Sequence, residues 1–151
     1  TSYSPLIGMS MSLEKGISVN IRHNYSRTAE RSPTGLTLQK EQSVSLSTNY
    51  AHTGGFTIPL PFFDDFRVDN TMNFTLNADY NASNTLASKD NTNLTEIGFN
   101  TSWKTGLRVS YSFSSRLTGA VILEYRESDS KHVGKKIDRD IGFDLNFAIS
   151  G

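Results

Sequence analysis

The sequence predicts an all-β fold: an antiparallel segment of a transmembrane β-barrel, about seven long strands, forming the C-terminal part of a larger barrel. Three observations predict it. The first is a two-residue beat. From residue 66 to 82 the even positions carry Phe66, Val68, Met72, Phe74, Leu76, Ala78, Tyr80 and Ala82, with Asn70 the one polar exception. The odd positions between them carry Arg67, Asp69, Asn73, Thr75, Asn77, Asp79 and Asn81. Side chains alternate faces along a strand, so this run is extended and meets unlike solvents on its two sides. The second is length: the run exceeds the roughly 5–6 residues of a common globular strand. The third is punctuation, in which short turns and long polar loops alternate as they do in outer-membrane barrels.

The elements follow in order. Strand one is expected over residues 7–13, where Ile7, Met9, Met11 and Leu13 alternate with Gly8, Ser10 and Ser12. Glu14-Lys15-Gly16 makes a tight turn, with the glycine free to take positive φ. Strand two, 17–25, alternates Ile17, Val19, Ile21 and Tyr25 with Ser18, Asn20, Arg22 and Asn24. A polar loop is expected over 27–35, and then strand three, starting at Leu36 or Gln42 and ending at Tyr50. Residues 51–65 include Pro59 and Pro61, which exclude a central ladder position. Strand four is the 66–82 run, followed by a loop over 83–93. Strand five, 95–113, holds its phase through Lys104-Thr105-Gly106 and reads as one strand rather than a hairpin. Strand six spans 117–125, a charged loop 127–136, and strand seven 138–150. Both tight turns then lie on one side of the sheet and the three polar loops on the other. Bacterial single-chain barrels have an even strand count, so seven strands imply at least one more before Thr1.

The two faces assign the side chains. Expected toward lipid are Ile17, Val19, Ile21, Val44, Leu46, Met72, Phe74, Leu76, Ile97, Phe99, Leu107, Val109, Tyr111, Val121, Leu123, Phe143, Leu145 and Phe147. Expected toward a hydrated lumen are Asn20, Arg22, Ser45, Ser47, Asn73, Thr75, Asn77, Asn100, Arg108, Ser110, Asp144 and Asn146. Tyr25, Tyr50, Tyr80, Trp103 and Tyr125 suit the aromatic girdles where membrane meets water.

Composition narrows the function classes. Net charge is +0 over 151 residues, which offers no basic stripe for nucleic acid. Mean hydropathy is −0.41 and no apolar run approaches the roughly 18 residues of a membrane helix. Cysteine is absent, which excludes disulfides and thiol chemistry. His23, His52 and His132 lack metal-ligand spacing, and Asp64-Asp65 is a solvated acidic pair rather than a calcium loop. Triplets such as Asn24-Tyr25-Ser26, Asn73-Phe74-Thr75 and Asn100-Thr101-Ser102 match the glycosylation acceptor but fall in or at the ends of strands, as chance matches. No nucleophile elbow or phosphate loop is present, so neither enzyme nor cofactor chemistry is expected.

Several segments resemble the SprA (Sov) family, the giant outer-membrane translocon barrels of the type IX secretion system of Bacteroidota. They are Ser4-Pro5-Leu6-Ile7-Gly8, Asn24-Tyr25-Ser26-Arg27-Thr28, Gly55-Phe56-Thr57-Ile58-Pro59, Asp69-Asn70-Thr71-Met72-Asn73-Phe74 and Ser115-Arg116-Leu117, in matching order over nearly the whole chain. Lys131-His132-Val133-Gly134-Lys135-Lys136 has no counterpart. The resemblance implies a place in the bacterial outer membrane and export of folded cargo through a wide pore. It implies as partners the rest of the barrel polypeptide, outer-membrane lipid, other secretion-system subunits and secreted proteins, and no nucleic acid. Two alternatives stand beside it: an independent small barrel acting as a porin or adhesin-like anchor, and a soluble carbohydrate-binding β-sandwich.

Overall fold

Alternating β-compatible residues without helix periodicity leave the backbone one way to satisfy its N–H and C=O groups, by pairing with neighbouring strands. The computed structural model describes residues 2–33, 35–58, 66–68, 70–89 and 93–148. The main strands are β1 (Ser2–Leu13), β2 (Ile17–Ser32), β3 (Gly35–Thr53), β6 (Thr71–Ser88), β7 (Thr95–Ser112), β8 (Leu117–Ser130) and β9 (Gly134–Phe147). They form one seven-stranded sheet in the order β1-β2-β3-β6-β7-β8-β9. Every ladder is antiparallel and joins strands adjacent along the chain, apart from one small insertion. That insertion is a two-stranded ribbon of β4 (Phe56–Ile58) and β5 (Phe66–Val68). The sheet is all-β and open: β1 and β9 are its two edges.

Seven long strands match the expectation, and their ends correct it. Of the residues expected as a loop over 27–35, 27–32 and Gly35 are strand: Arg27 pairs with Lys40, Glu30 with Thr37 and Ser32 with Gly35. The 83–93 loop is likewise strand as far as Ser88, and the 127–136 loop is a hairpin with a turn at residues 131–133. In these extensions both faces meet similar surroundings and hydropathy stops alternating, although the ladder continues. Strand one begins earlier than residue 7, and strand seven occupies 134–147 instead of 138–150.

The 66–82 run is not one strand. Thr53 pairs with Thr71, Gly54 N–H donates to Asn70 C=O at 3.3 Å, and pairing resumes as the separate ribbon β4–β5. Gly54 and Gly55, with φ of 20° and 89°, make the break on the opposing strand. An alternation read along 66–82 cannot register a kink in its partner. Residues 59–65, with Pro59, Pro61 and Asp64-Asp65, lie outside the described residues, as does the end of the expected last strand at 149–150.

β7 is a single strand through Lys104, Thr105 and Gly106, as expected. Its phase slips once. Thr85 pairs with Gly98 but Leu86 with Glu96, so Ile97 is the extra residue of a bulge. The tight turns at Glu14–Gly16 and 114–116 share one end of the sheet with the β3–β6 break, here called the turn end. At the second turn Phe113 N–H donates to Leu117 C=O at 2.9 Å, and Ser114 Oγ accepts from Leu117 N–H at 3.1 Å.

Candidate functional site

Strand register turns two sequence patterns into two surfaces. Leu13, Ile17, Tyr50, Phe74, Val109, Val121 and Phe143 stand side by side across all seven strands. The next rung away from the turn end is Met11, Val19, Thr48, Leu76, Leu107, Leu123 and Ile141. Of the residues expected toward lipid, Ile21, Val44, Leu46, Met72, Phe99, Tyr111, Leu145 and Phe147 share this face by register, with the rung members already named. Ile97 is the exception, because the bulge removes it from the ladder.

The face is uncovered. On β9 Ile141 is 69%, Phe143 78%, Leu145 73% and Phe147 67% exposed, and Met9, Met11, Leu76 and Leu123 are also exposed. Contiguous apolar area of this kind is rare on a surface bathed only by water. Aromatic contacts tie the strands laterally. Tyr50 stacks on Phe74 with centroids 5.9 Å apart, and Tyr80 tilts against Trp103 at 6.2 Å. Near the turn end Tyr111 meets Phe113 edge-on at 4.9 Å, and the Phe113 ring lies over Gly119. A β-carbon there would stand 2.9 Å from that ring. Tyr25, Tyr80, Trp103 and Tyr125 fall within three adjacent rungs, whereas Tyr50 sits toward the turn end.

The opposite face is polar. Ser10, Asn20, Ser47, Asn77, Gly106, Glu124 and Asp140 make one rung; Arg22, Ser45 and Asp79 share the next. The residues expected toward a lumen all lie here, Asn73 beside Ser110, Thr75 beside Arg108, Asn100 beside Ser83 and Asn146 beside Thr118. Small side chains hydrogen-bond across strands: Asn24 to Ser43 at 3.0 Å, Thr75 to Asn49 at 2.9 Å, and Ser10 to Asn20. From β7 to β9 the face carries ion pairs that sequence reasoning missed. Arg108 meets Asp144 at 2.8 Å. Glu124 sits between Lys104, at 3.6 Å, and Arg126, which also reaches Asp140 at 3.5 Å. The only advance signal was opposite charge on neighbouring strands, which is uninformative until the register is known.

Beyond the aromatic rungs, away from the turn end, charged and polar side chains enter the outward face too, among Leu36, Leu38, Leu86 and Phe99. Outward positions there include Arg27, Arg31, Lys40 and Glu96, while Asp129 and Lys135 share the Tyr25 rung. Lys135 pairs with Glu127 at 2.7 Å, and this carboxylate holds the ammonium above its ordinary range. A small buried cluster lies at the far tip. Leu38 is 4% and Ser88 6% exposed. Gly35, with φ 146°, lets the Ser88 carbonyl approach so closely that a β-carbon would stand 2.1 Å from its oxygen.

Among the described residues no three His, Cys, Asp or Glu are grouped to hold a metal ion. None of their helices is long and apolar enough to cross a membrane, which leaves crossing by strands open. Comparisons with protein-family models, with curated proteins and with solved structures each found no match.

Proposed function

We propose that this chain is a segment of the wall of a large outer-membrane β-barrel through which folded proteins are exported, a translocon of the type IX secretion class, without catalysis of its own. The observation that carries the membrane half is the apolar face. Met72 to Tyr80 covers the roughly 9–11 residues that a tilted strand needs to cross a bilayer. Over that height the outward positions of β1, β2, β3, β6 and β7 hold no Asp, Glu, Lys or Arg. The outward charges within it lie at its aromatic end: Arg139 on β9, beside Tyr125, and Glu127 on β8, beside Trp103. A wall with lipid on one side and water on the other requires this division.

What supports a segment over a self-contained small barrel is the direction of the edges. Six successive antiparallel ladders leave β1 and β9 pointing the same way. Closing β9 directly on β1 would need a parallel pair. All-antiparallel closure needs an odd number of further strands between them, supplied by the rest of the barrel polypeptide. What supports passage of proteins is the polar face, whose Ser, Asn and Thr positions offer little that a folded cargo would stick to. The resemblance to type IX translocons adds the secretion class, and with it partner subunits and cargo.

The test is cysteine scanning along β6 in the intact assembly in outer membranes. Asn77→Cys should react with a water-soluble maleimide, whereas Leu76→Cys should resist it and contact nitroxide-bearing lipid. A photo-crosslinker at Asn77, but not at Leu76, should capture secreted protein during export. Equal maleimide reactivity at both positions would overturn the membrane reading. Lipid contact at Leu76 without cargo at Asn77 would remove the export reading alone.

A further inference from the structure

The outward face holds a groove of about 510 Å³ one rung beyond Tyr80 and Trp103, where its apolar part ends. The floor is small: Ala82 and Thr101 stand side by side on β6 and β7. Aromatic rings bound it at opposite ends. Tyr25 is on β2 and Phe99 on β7, three strand spacings or about 14 Å apart across the sheet. The outward charges of its lining are one of each sign, Lys40 and Glu96. Asn84, also in the lining, donates from Nδ2 to the Glu96 carboxylate. A carboxylate only accepts, so the amide nitrogen must face it. That leaves Asn84 Oδ1 buried and without a hydrogen-bond partner, the one side-chain atom so placed among the described residues. A buried acceptor without a donor costs free energy that a bound donor restores.

We infer that this groove binds the uncharged sugar headgroup of an outer-leaflet glycolipid, about a disaccharide in length. The inference rests on the membrane reading above and names the headgroup this face meets. Aromatic walls with a few convergent polar groups are the make-up of a small-ligand site, and the volume falls within the usual range of roughly 300–1,000 Å³. A sugar meets both kinds of wall. Its C–H faces lie on Tyr25 and Phe99, and its hydroxyls both donate and accept. One hydroxyl supplies the donor that Asn84 Oδ1 lacks, and others accept from the Gln42 amide or the Lys40 ammonium. The balanced charge of the lining favours a neutral sugar over a phosphate. Position favours a lipid as its carrier. From the floor toward the bilayer middle the same face continues with Val44, Tyr80, Leu46 and Ala78, along which the acyl chains would lie.

The test uses the intact assembly in nanodiscs of zwitterionic phospholipid doped with digalactosyldiacylglycerol, with bound lipid counted by native mass spectrometry. The glycolipid should be retained about tenfold better than diacylglycerol without the sugar. Ala82→Phe, which fills the floor, should abolish that preference. Phe99→Leu and Asn84→Leu should each lower it about fivefold, and Arg22→Gln on the opposite face should change nothing. Undiminished preference in Ala82→Phe would overturn the inference; should that variant fail to assemble, undiminished preference in Asn84→Leu combined with Phe99→Leu does the same. Tighter retention of phosphatidylglycerol than of the glycolipid would also overturn it. So would displacement by the free disaccharide at millimolar concentration, which would mark a soluble glycan as the ligand. A nitroxide-lipid contact at Leu76→Cys, measured in the same nanodiscs, separates the two failures. If that contact is present while the groove variants still prefer the glycolipid, only the sugar site falls; if it is absent, the membrane reading falls.

Discussion

The sheet has two regions that differ in side-chain polarity more than in backbone. Between the turn end and the Tyr80–Trp103 rung, the faces are unlike: one is apolar and exposed, the other carries Asn, Ser, Thr and ion pairs. Beyond that rung the ladders continue, through Ser32 on β2 and Ser88 on β6, but polar residues occupy both faces. The backbone hydrogen-bonding pattern is common to both regions. Hydropathy alternation therefore reports a difference between two solvents, and strand structure only indirectly. Where the solvents become alike the alternation ends and the strand does not.

Substitutions can break or sharpen this contrast. The largest effect is expected from charge placed on the apolar face. Phe74→Arg or Val109→Arg should cost about 2–4 kcal/mol, while Gln42→Arg, on the same face at the Tyr25 rung, should cost about 0–1 kcal/mol. Thr75→Arg, one residue along on the polar face, should also be mild. Reversible unfolding of the proposed intact assembly from lipid vesicles measures all four, and equal costs at Phe74 and Thr75 would dissolve the distinction between faces.

A glycine swap probes the far region by packing instead of solvation. Gly35→Ala should cost about 1–3 kcal/mol from backbone strain alone, and more through collision with the Ser88 carbonyl. Gly142→Ala, on the polar face of β9, meets only the Ile122 β-carbon at 3.7 Å and should be neutral or slightly stabilising. Hydrogen exchange at the β2–β3–β6 tip should report the first change and not the second. The smallest effect is expected at Arg108 and Asp144. Both are about two-fifths exposed, and a double-mutant cycle on the pair should return roughly 0.2–1 kcal/mol.

Much of this was legible before the fold was known. The alternation of Met72 through Tyr80 and of Leu117 through Tyr125 gave the face of each residue, and register then joined those faces into rungs. Three features lay beyond it. The break at Gly54-Gly55 was invisible in the unbroken beat of 66–82, because pairing depends on the partner strand. The bulge at Ile97 was hidden because one inserted residue leaves its neighbours looking periodic over a short window. The ion pairs around Glu124 depend on which residues meet across strands, and a single strand carries no record of its register.

The exposed outer strand β9 also bears on how such a chain must be made. Residues 141–147 combine four large apolar side chains with an edge of the sheet and contain no proline. In water that combination is a template for intermolecular stacking into fibrils or inclusion bodies. On the proposed membrane placement, the property that would suit the strand to a bilayer is thus a hazard during synthesis and transit. On that reading, whatever shields residues 141–147 before they reach lipid must act faster than the edge pairs with itself.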